Sequence, residues 1–163
     1  MITIRKLSQL DAIELSSMIS TDGALKKYLG FGEKDRLGAD EFLEDIGKWC
    51  RSRDAISFAI LLNGKTAAGI ISLSRIHSRA KGARIGYWIG SDYRSNGYCT
   101  TAFKLVVDEA ACMNLTKVIS MIAENNMHSR QIWERIGGYV IGEDKGRLSY
   151  ELPCRQGLQW LFC

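Results

Sequence analysis

Ile85-Gly86-Tyr87-Trp88-Ile89-Gly90, followed two residues later by Tyr93-Arg94-Ser95-Asn96-Gly97-Tyr98-Cys99-Thr100, is the most informative run of this 163-residue chain. Its first half alternates at a period of two, which predicts a strand over 83–89 with Ile85, Tyr87 and Ile89 on one face. Gly86 and Gly90 alternate with Trp88 on the other face, and glycines inside a strand mark a bulge or a close approach of ligand to backbone. The second half leads into 98–113, where Ala102, Phe103, Val106, Val107 and Ala110 recur at helical spacing. The first turn of a helix carries N–H groups without intrahelical partners, and its aligned peptide dipoles amount to about half a positive charge. Anions are stabilised there. Gly97 removes the Cβ that would hold a diphosphate off these amides, Arg94 supplies a fork of donors, and Ser95 and Thr100 supply hydroxyls. The same residues also read as a plain helix start, with Asn96 as cap and Gly97 as turn. The run is neither a Walker loop, which needs a second glycine and a Gly-Lys-Ser/Thr ending, nor the G-x-G-x-x-G dinucleotide fingerprint.

Upstream, Ile2 and Ile4 begin a strand, and Ser8 with Asp11 three residues later resembles a capping box opening a helix to about Ile19. Ala12, Leu15, Met18 and Ile19 would form its inner face. A glycine-containing break precedes a second helix over 39–51, in which Phe42, Ile46 and Trp49 recur and Asp40, Glu41, Glu44 and Asp45 lie largely on other faces. From Ile56 the period changes to two, and Asn63-Gly64 predicts a hairpin with a returning strand over 65–75. Downstream, 117–123 reads as a buried strand, 127–136 as a short helix, and 139–152 as a hairpin turning at Lys145-Gly146 and ended by Pro153. A strand–helix–strand passage thus sits inside an otherwise antiparallel sheet.

The composition is that of an ordinary globular protein, with 46% hydrophobic and 25% charged residues. One domain over 1–152 and a tail over 153–163 are expected; Leu158, Trp160, Leu161 and Phe162 make the tail apolar enough to dock on this chain or on a second subunit, so monomer and homodimer both remain. No apolar run approaches membrane-spanning length and the N-terminus lacks a secretory pattern, so a cytoplasmic protein with no membrane partner is expected. Cys50, Cys99, Cys112, Cys154 and Cys163 are odd in number and lack C-x-x-C spacing, which indicates reduced thiols and no metal site. The net charge of +4 divides unevenly: residues 1–50 hold seven basic and nine acidic side chains, the remainder fifteen and nine. No basic stripe or aromatic platform forms, so nucleic acid is not expected as a partner.

The run at 85–100 resembles the acetyl-CoA signature of the GNAT acetyltransferases, and in particular their RimJ/RimL-like branch. A second block, Asn126-Met127-His128-Ser129 followed by Trp133-Glu134-Arg135-Ile136-Gly137-Gly138-Tyr139, is similar to that family's N-x-x-S and E-K-x-G-F elements, and Lys27-Tyr28-Leu29-Gly30 also looks like this branch. The resemblance covers about residues 1–152. It implies an α+β fold: a splayed, mostly antiparallel sheet of six to seven strands flanked by about four helices. It also implies that the pantetheine arm of acetyl-CoA enters between Trp88, Ile89 and Gly90 on one strand and 118–123 on another, pairing as a pseudo-strand. Arg94, Ser95, Asn96, Gly97, Tyr98, Cys99 and Thr100 would cradle the pyrophosphate. Asn126 would bond the pantetheine or cap its helix, and Ser129 would lie near the thioester sulfur.

The implied reaction is direct attack of an amine on the thioester, with no covalent enzyme intermediate; the acceptor is a protein or peptide N-terminus or a small amine. Backbone N–H of Ile89 or Gly90 would polarise the thioester carbonyl. Two positions depart from the family pattern. Arg84 stands near where a glutamate base is often found, which leaves Glu124 as a candidate base, and Trp133 stands where many members have a tyrosine that protonates the thiolate. An indole N–H only donates, so Ser129 is the better group for stabilising the leaving sulfur. His77 and His128 are further candidate bases, and Cys99 sits where a helix N-terminus would favour a thiolate. The departures also allow a second class, a non-catalytic acyl-CoA-binding or sensor module.

Overall fold

Turn chemistry and alternation build the sheet, and the computed structural model describes residues 1–31 and 37–154. Strand β1 (Ile2–Lys6) leads into helix α1 (Gln9–Thr21) through the expected capping box: the Asp11 carboxylate accepts the Ser8 N–H at 2.9 Å, and the Ser8 hydroxyl caps the Asp11 N–H. Helix α2 (Gly23–Leu29) follows at once, an element that the glycine break concealed. Asp22 ends α1 and caps α2, its carboxylate accepting the Leu25 N–H at 2.9 Å, so a single residue joins two helices where the sequence pattern suggested a loop. Helix α3 (Ala39–Arg53) buries Phe42, while Trp49, expected on its inner face, is 39% exposed.

Strands β2 (Ala55–Leu62) and β3 (Thr66–Ser74) meet at Asn63 and Gly64, both with left-handed backbone (φ 50° and 68°), the pair of conformations a two-residue hairpin turn requires. Strand β4 (Gly82–Ile89) and helix α4 (Tyr98–Cys112) are joined by a single 3₁₀ turn at Ser91–Tyr93 and the loop after it. Strand β5 (Lys117–Ala123), helix α5 (Met127–Arg135), and strands β6 (Tyr139–Asp144) and β7 (Arg147–Pro153) complete the described chain, with Lys145 and Gly146 turning the last hairpin at φ 48° and 72°. The tail expected at 153–163 falls, beyond Cys154, outside the described residues.

The seven strands lie in the order β1-β2-β3-β4-β5-β7-β6, antiparallel at every join except β4–β5. The expected mixed architecture is present, with five α-helices among the described residues where about four were expected. Alternation along β2 sends Phe58 and Ile60 to one face and Ala59 and Leu61 to the other, and both faces are covered. One core packs Phe58, Ile60, Ile71 and Ile85 against Phe103, Val106 and Trp133 of α4 and α5. The second packs Ala59, Leu61 and Ile70 against Leu15 and Ile19 of α1, Leu25 of α2 and Phe42 of α3. Each fully buried Leu, Ile or Phe contributes about 2–3 kcal/mol on transfer from water. Among the described residues no helix is long and apolar enough to cross a membrane, and no His/Cys/Asp/Glu group could hold a metal ion.

Candidate active site

The site begins where two parallel strands stop pairing. Strands β4 and β5 register only at Gly82–Lys117, Ala83–Val118 and Arg84–Ile119. Beyond these pairs β4 stays bonded to β3 as far as Ile89, and β5 to β7 as far as Ala123. Each strand follows its other neighbour, so a gap opens between them. Peptide groups alternate in direction along a strand. Gly90 N–H donates to Ala68 O at 2.9 Å on the β3 side, so the Ile89 peptide groups face the gap, where the Ile89 carbonyl meets Arg94 Nε at 3.4 Å. This removes Gly90 as a donor to an acyl carbonyl and leaves Ile89. Glycine at position 90 also leaves room for the Met18 side chain, which an added Cβ would displace.

The β4 side of the gap shares a cavity with the N-terminus of α4, while no residue of 118–123 is in that cavity's lining. Gly97 caps that helix with φ 74° and no side chain bonds the first turn, so the N–H groups of Tyr98, Cys99 and Thr100 lack intrahelical partners. Asn96 is not the cap; its amide donates to the carbonyls of Tyr93 (3.3 Å) and Arg94 (2.8 Å) and holds the loop in shape. Ser95, with φ 63°, shares the left-handed conformation of Gly97.

A cavity of about 540 Å³ occupies this place. Its walls are Tyr87, Trp88 and Ile89 of β4; Tyr93, Arg94, Ser95 and Gly97 of the loop; Tyr98, Cys99 and Thr100 of α4; one face of α5 with Asn126 before it; and Ala24, Leu25 and Tyr28 of α2. The sequence-derived candidates Trp88, Ile89, Arg94, Ser95, Gly97, Tyr98, Cys99, Thr100, Asn126 and Ser129 therefore converge on one cavity. Gly90, Asn96 and Glu124 are not in its lining. Glu124 is exposed in the turn after β5, its backbone held by Gly146 O and by Arg130. Asn126 acts as a helix cap, its Oδ1 accepting the Ser129 N–H at 3.2 Å.

Other candidates lie elsewhere. His77 bonds Asp54 through Nδ1 at 2.6 Å, and Arg84 reaches Met121 Sδ at 3.7 Å. On α3, Glu44 and Asp45 are paired with Lys48 of the same helix and Asp40 with Gln9, as on a solvated face. Trp133 has no exposed surface and stacks edge-on against Phe103, with centroids 4.9 Å apart. Cys99 is no activated thiol: burial pushes it up to about 12, against the pull of the helix end.

Three contributions escaped the sequence reading. Gln131, Ile132 and Arg135 line the cavity at helical spacing with the candidate base His128 on α5, a stripe visible in the sequence once the helix is placed. Arg135 joins Arg94 as a second cation, and no carboxylate is found among the described lining residues, so the site suits an anion. Helix α2 supplies a wall no pattern announced. Tyr87 faces the cavity from β4, and burial drives its phenol well above the ordinary tyrosine range.

Comparison with known proteins agrees with this geometry. Residues 1–138 match the family model described as Acetyltransferase (GNAT) domain. Over 152 residues the chain is 34% identical to Bacillus subtilis (strain 168) YdaF, named as a ribosomal N-acetyltransferase, covering 90% of this chain and 81% of that one. Among solved structures, Mycobacterium smegmatis RimJ in complex with CoA-disulfide superposes with a TM-score of 0.77 at 20% identity, covering 97% of this chain and 84% of that one. Vibrio cholerae spermidine N-acetyltransferase in complex with CoA and spermine gives 0.73 at 17% identity, covering 94% and 95%. With a family model spanning most of its length and a named relative over nine-tenths of it, the chain belongs to the GNAT acetyltransferases, in their RimJ/RimL-like branch.

Proposed function

We propose that this protein moves an acetyl group from acetyl-CoA to a primary amine by direct attack of the amine on the thioester. One observation carries the reading: the edge of β4 beyond Arg84 and the N-terminus of α4, whose first turn no side chain caps, line one cavity. The Ile89 peptide edge would pair with the amide-rich pantetheine arm as an added strand would. The N–H groups of Tyr98, Cys99 and Thr100, with Arg94, would hold the pyrophosphate. Ser129, lining the cavity at the first turn of α5, would donate to the sulfur as it leaves. Glu124 is set aside as base because it lies outside the lining, and the proton of the attacking amine leaves through water or through the lining imidazole of His128. The name of YdaF supports a ribosomal-protein amine as acceptor, and that of the Vibrio cholerae enzyme a small polyamine.

The test is CoA release with acetyl-CoA and a panel of N-terminal peptides and polyamines. Turnover of one class, reduced at least tenfold in Ser129→Ala, is the expected result. Saturable binding of acetyl-CoA with no turnover of any amine would instead establish the non-catalytic acyl-CoA sensor, a reading supported by the fully buried Trp133 where many relatives place a tyrosine.

A further inference from the structure

Two polar atoms in the described chain are buried without a hydrogen-bond partner, Tyr87 Oη and Trp133 Nε1, and they lie side by side. Tyr87 reaches the cavity from β4 while its ring packs edge-on against Phe103, centroids 5.8 Å apart; Phe103 in turn packs on Trp133. Ser129 also adjoins the Tyr87 hydroxyl, outside bonding geometry, and unlike that hydroxyl it lines the cavity from α5. An unpaired buried hydroxyl is disfavoured relative to phenylalanine, so its place in the wall calls for a use.

The direction of any chain through these groups is fixed at one end. An indole N–H only donates, whereas a phenol accepts and donates at once. In such a chain Trp133 Nε1–H donates to Tyr87 Oη, and the Tyr87 O–H donates to Ser129 Oγ. The Ser129 hydroxyl, accepting on the side of Tyr87, then has its own O–H free to donate into the cavity. Resting on the acetyl-transfer reading above, we propose that Tyr87 is a positioning residue: with Trp133 behind it, it aims the Ser129 hydroxyl at the departing sulfur of CoA. Such bonds are often long before the substrate arrives and tighten with it, and aligned donors polarise one another. No proton is passed along the chain. As the amine nitrogen bonds to the acetyl carbon, the C–S bond breaks with its electron pair going to sulfur, the proton of the amine leaves to water or base, and the three donors stabilise the thiolate. Burial keeps the Tyr87 phenol protonated, so it retains the proton it donates toward Ser129.

The test reads the thiol of bound CoA by thiolate absorbance against pH, in the wild type, Tyr87→Phe and Ser129→Ala, with CoA affinity measured at low pH. Tyr87→Phe removes an unpaired hydroxyl, so its melting temperature should not fall. The wild type should lower the pKa of the bound thiol below that of free CoA. Both variants, read at saturating CoA, should raise it again, cutting the thiolate fraction about three- to tenfold. An unchanged titration in Tyr87→Phe would overturn the positioning role while leaving acetyl transfer standing. Failure of the wild type to bind CoA at all would overturn the acetyl-transfer reading, and this inference with it.

Discussion

At Gly97 backbone conformation and chemistry meet in one residue. Its φ of 74° suits glycine, and no neighbouring atom lies within 4 Å of a Cβ placed there, so an alanine is strained but not blocked. Gly97→Ala should lower stability by about 1 kcal/mol and weaken acetyl-CoA binding more than tenfold, seen by melting and by titration calorimetry. At Cys99 the expected outcome is inertness. With its thiol pushed up to about 12, it should resist iodoacetamide at pH 8 while exposed Cys112 labels, a contrast that peptide mass mapping reads directly. The place of Arg94 and Gly97 before a helix N-terminus was legible from spacing, and that of Ser129 in the first turn of α5 from the family resemblance. Tyr87 was not. Alternation placed it on a face with Ile85, and only the divergence of β4 from β5 turns that face into a cavity wall. Asn96 was open to two readings, and the loop carbonyls took its side chain.

Two carboxylates work at the scale of elements. Asp11 is 1% exposed; burial disfavours its charge, but bonds from Arg5 and Ser8 outweigh that and leave its pKa below the ordinary value. A lowered pKa in the folded state means stability that is present above the unfolded value of about 3.9 and lost as pH falls through the folded one. Wild type should therefore exceed Asp11→Asn by about 2 kcal/mol at pH 7, and the difference should close below about pH 4 in denaturant titrations. Asp22 ties α2 to the turn before the anion loop: its other oxygen accepts the Ser91 N–H at 3.1 Å, and bonding from Ser91 holds its pKa down. Asp22→Ala should lose about 1 kcal/mol from the cap and also raise the KM for acetyl-CoA, by about threefold, because the turn carrying Arg94 is released. Helix α2 was hidden in the sequence for this reason. Its first residue is a glycine and its cap is also the end of α1, so no separate start signal stands out.

For the molecule as a whole, most of the fold could be read from punctuation. Asn63-Gly64 and Lys145-Gly146 fixed two hairpins, and helical spacing placed α1, α3, α4 and α5. Strand order, and above all the short register between β4 and β5, could not be read that way, because pairing length depends on which neighbour each strand follows. The β4 edge beyond that register, a helix N-terminus and two arginines line a single cavity. The central claim is that this cavity is an acetyl-CoA site, and titration calorimetry of the full chain with acetyl-CoA, beside Arg94→Ala, tests it most directly. Saturable one-to-one binding, weakened at least tenfold in Arg94→Ala with the melting temperature unchanged, is the predicted result. No heat of binding in a wild type that melts cooperatively, or equal affinity in both proteins, would contradict it.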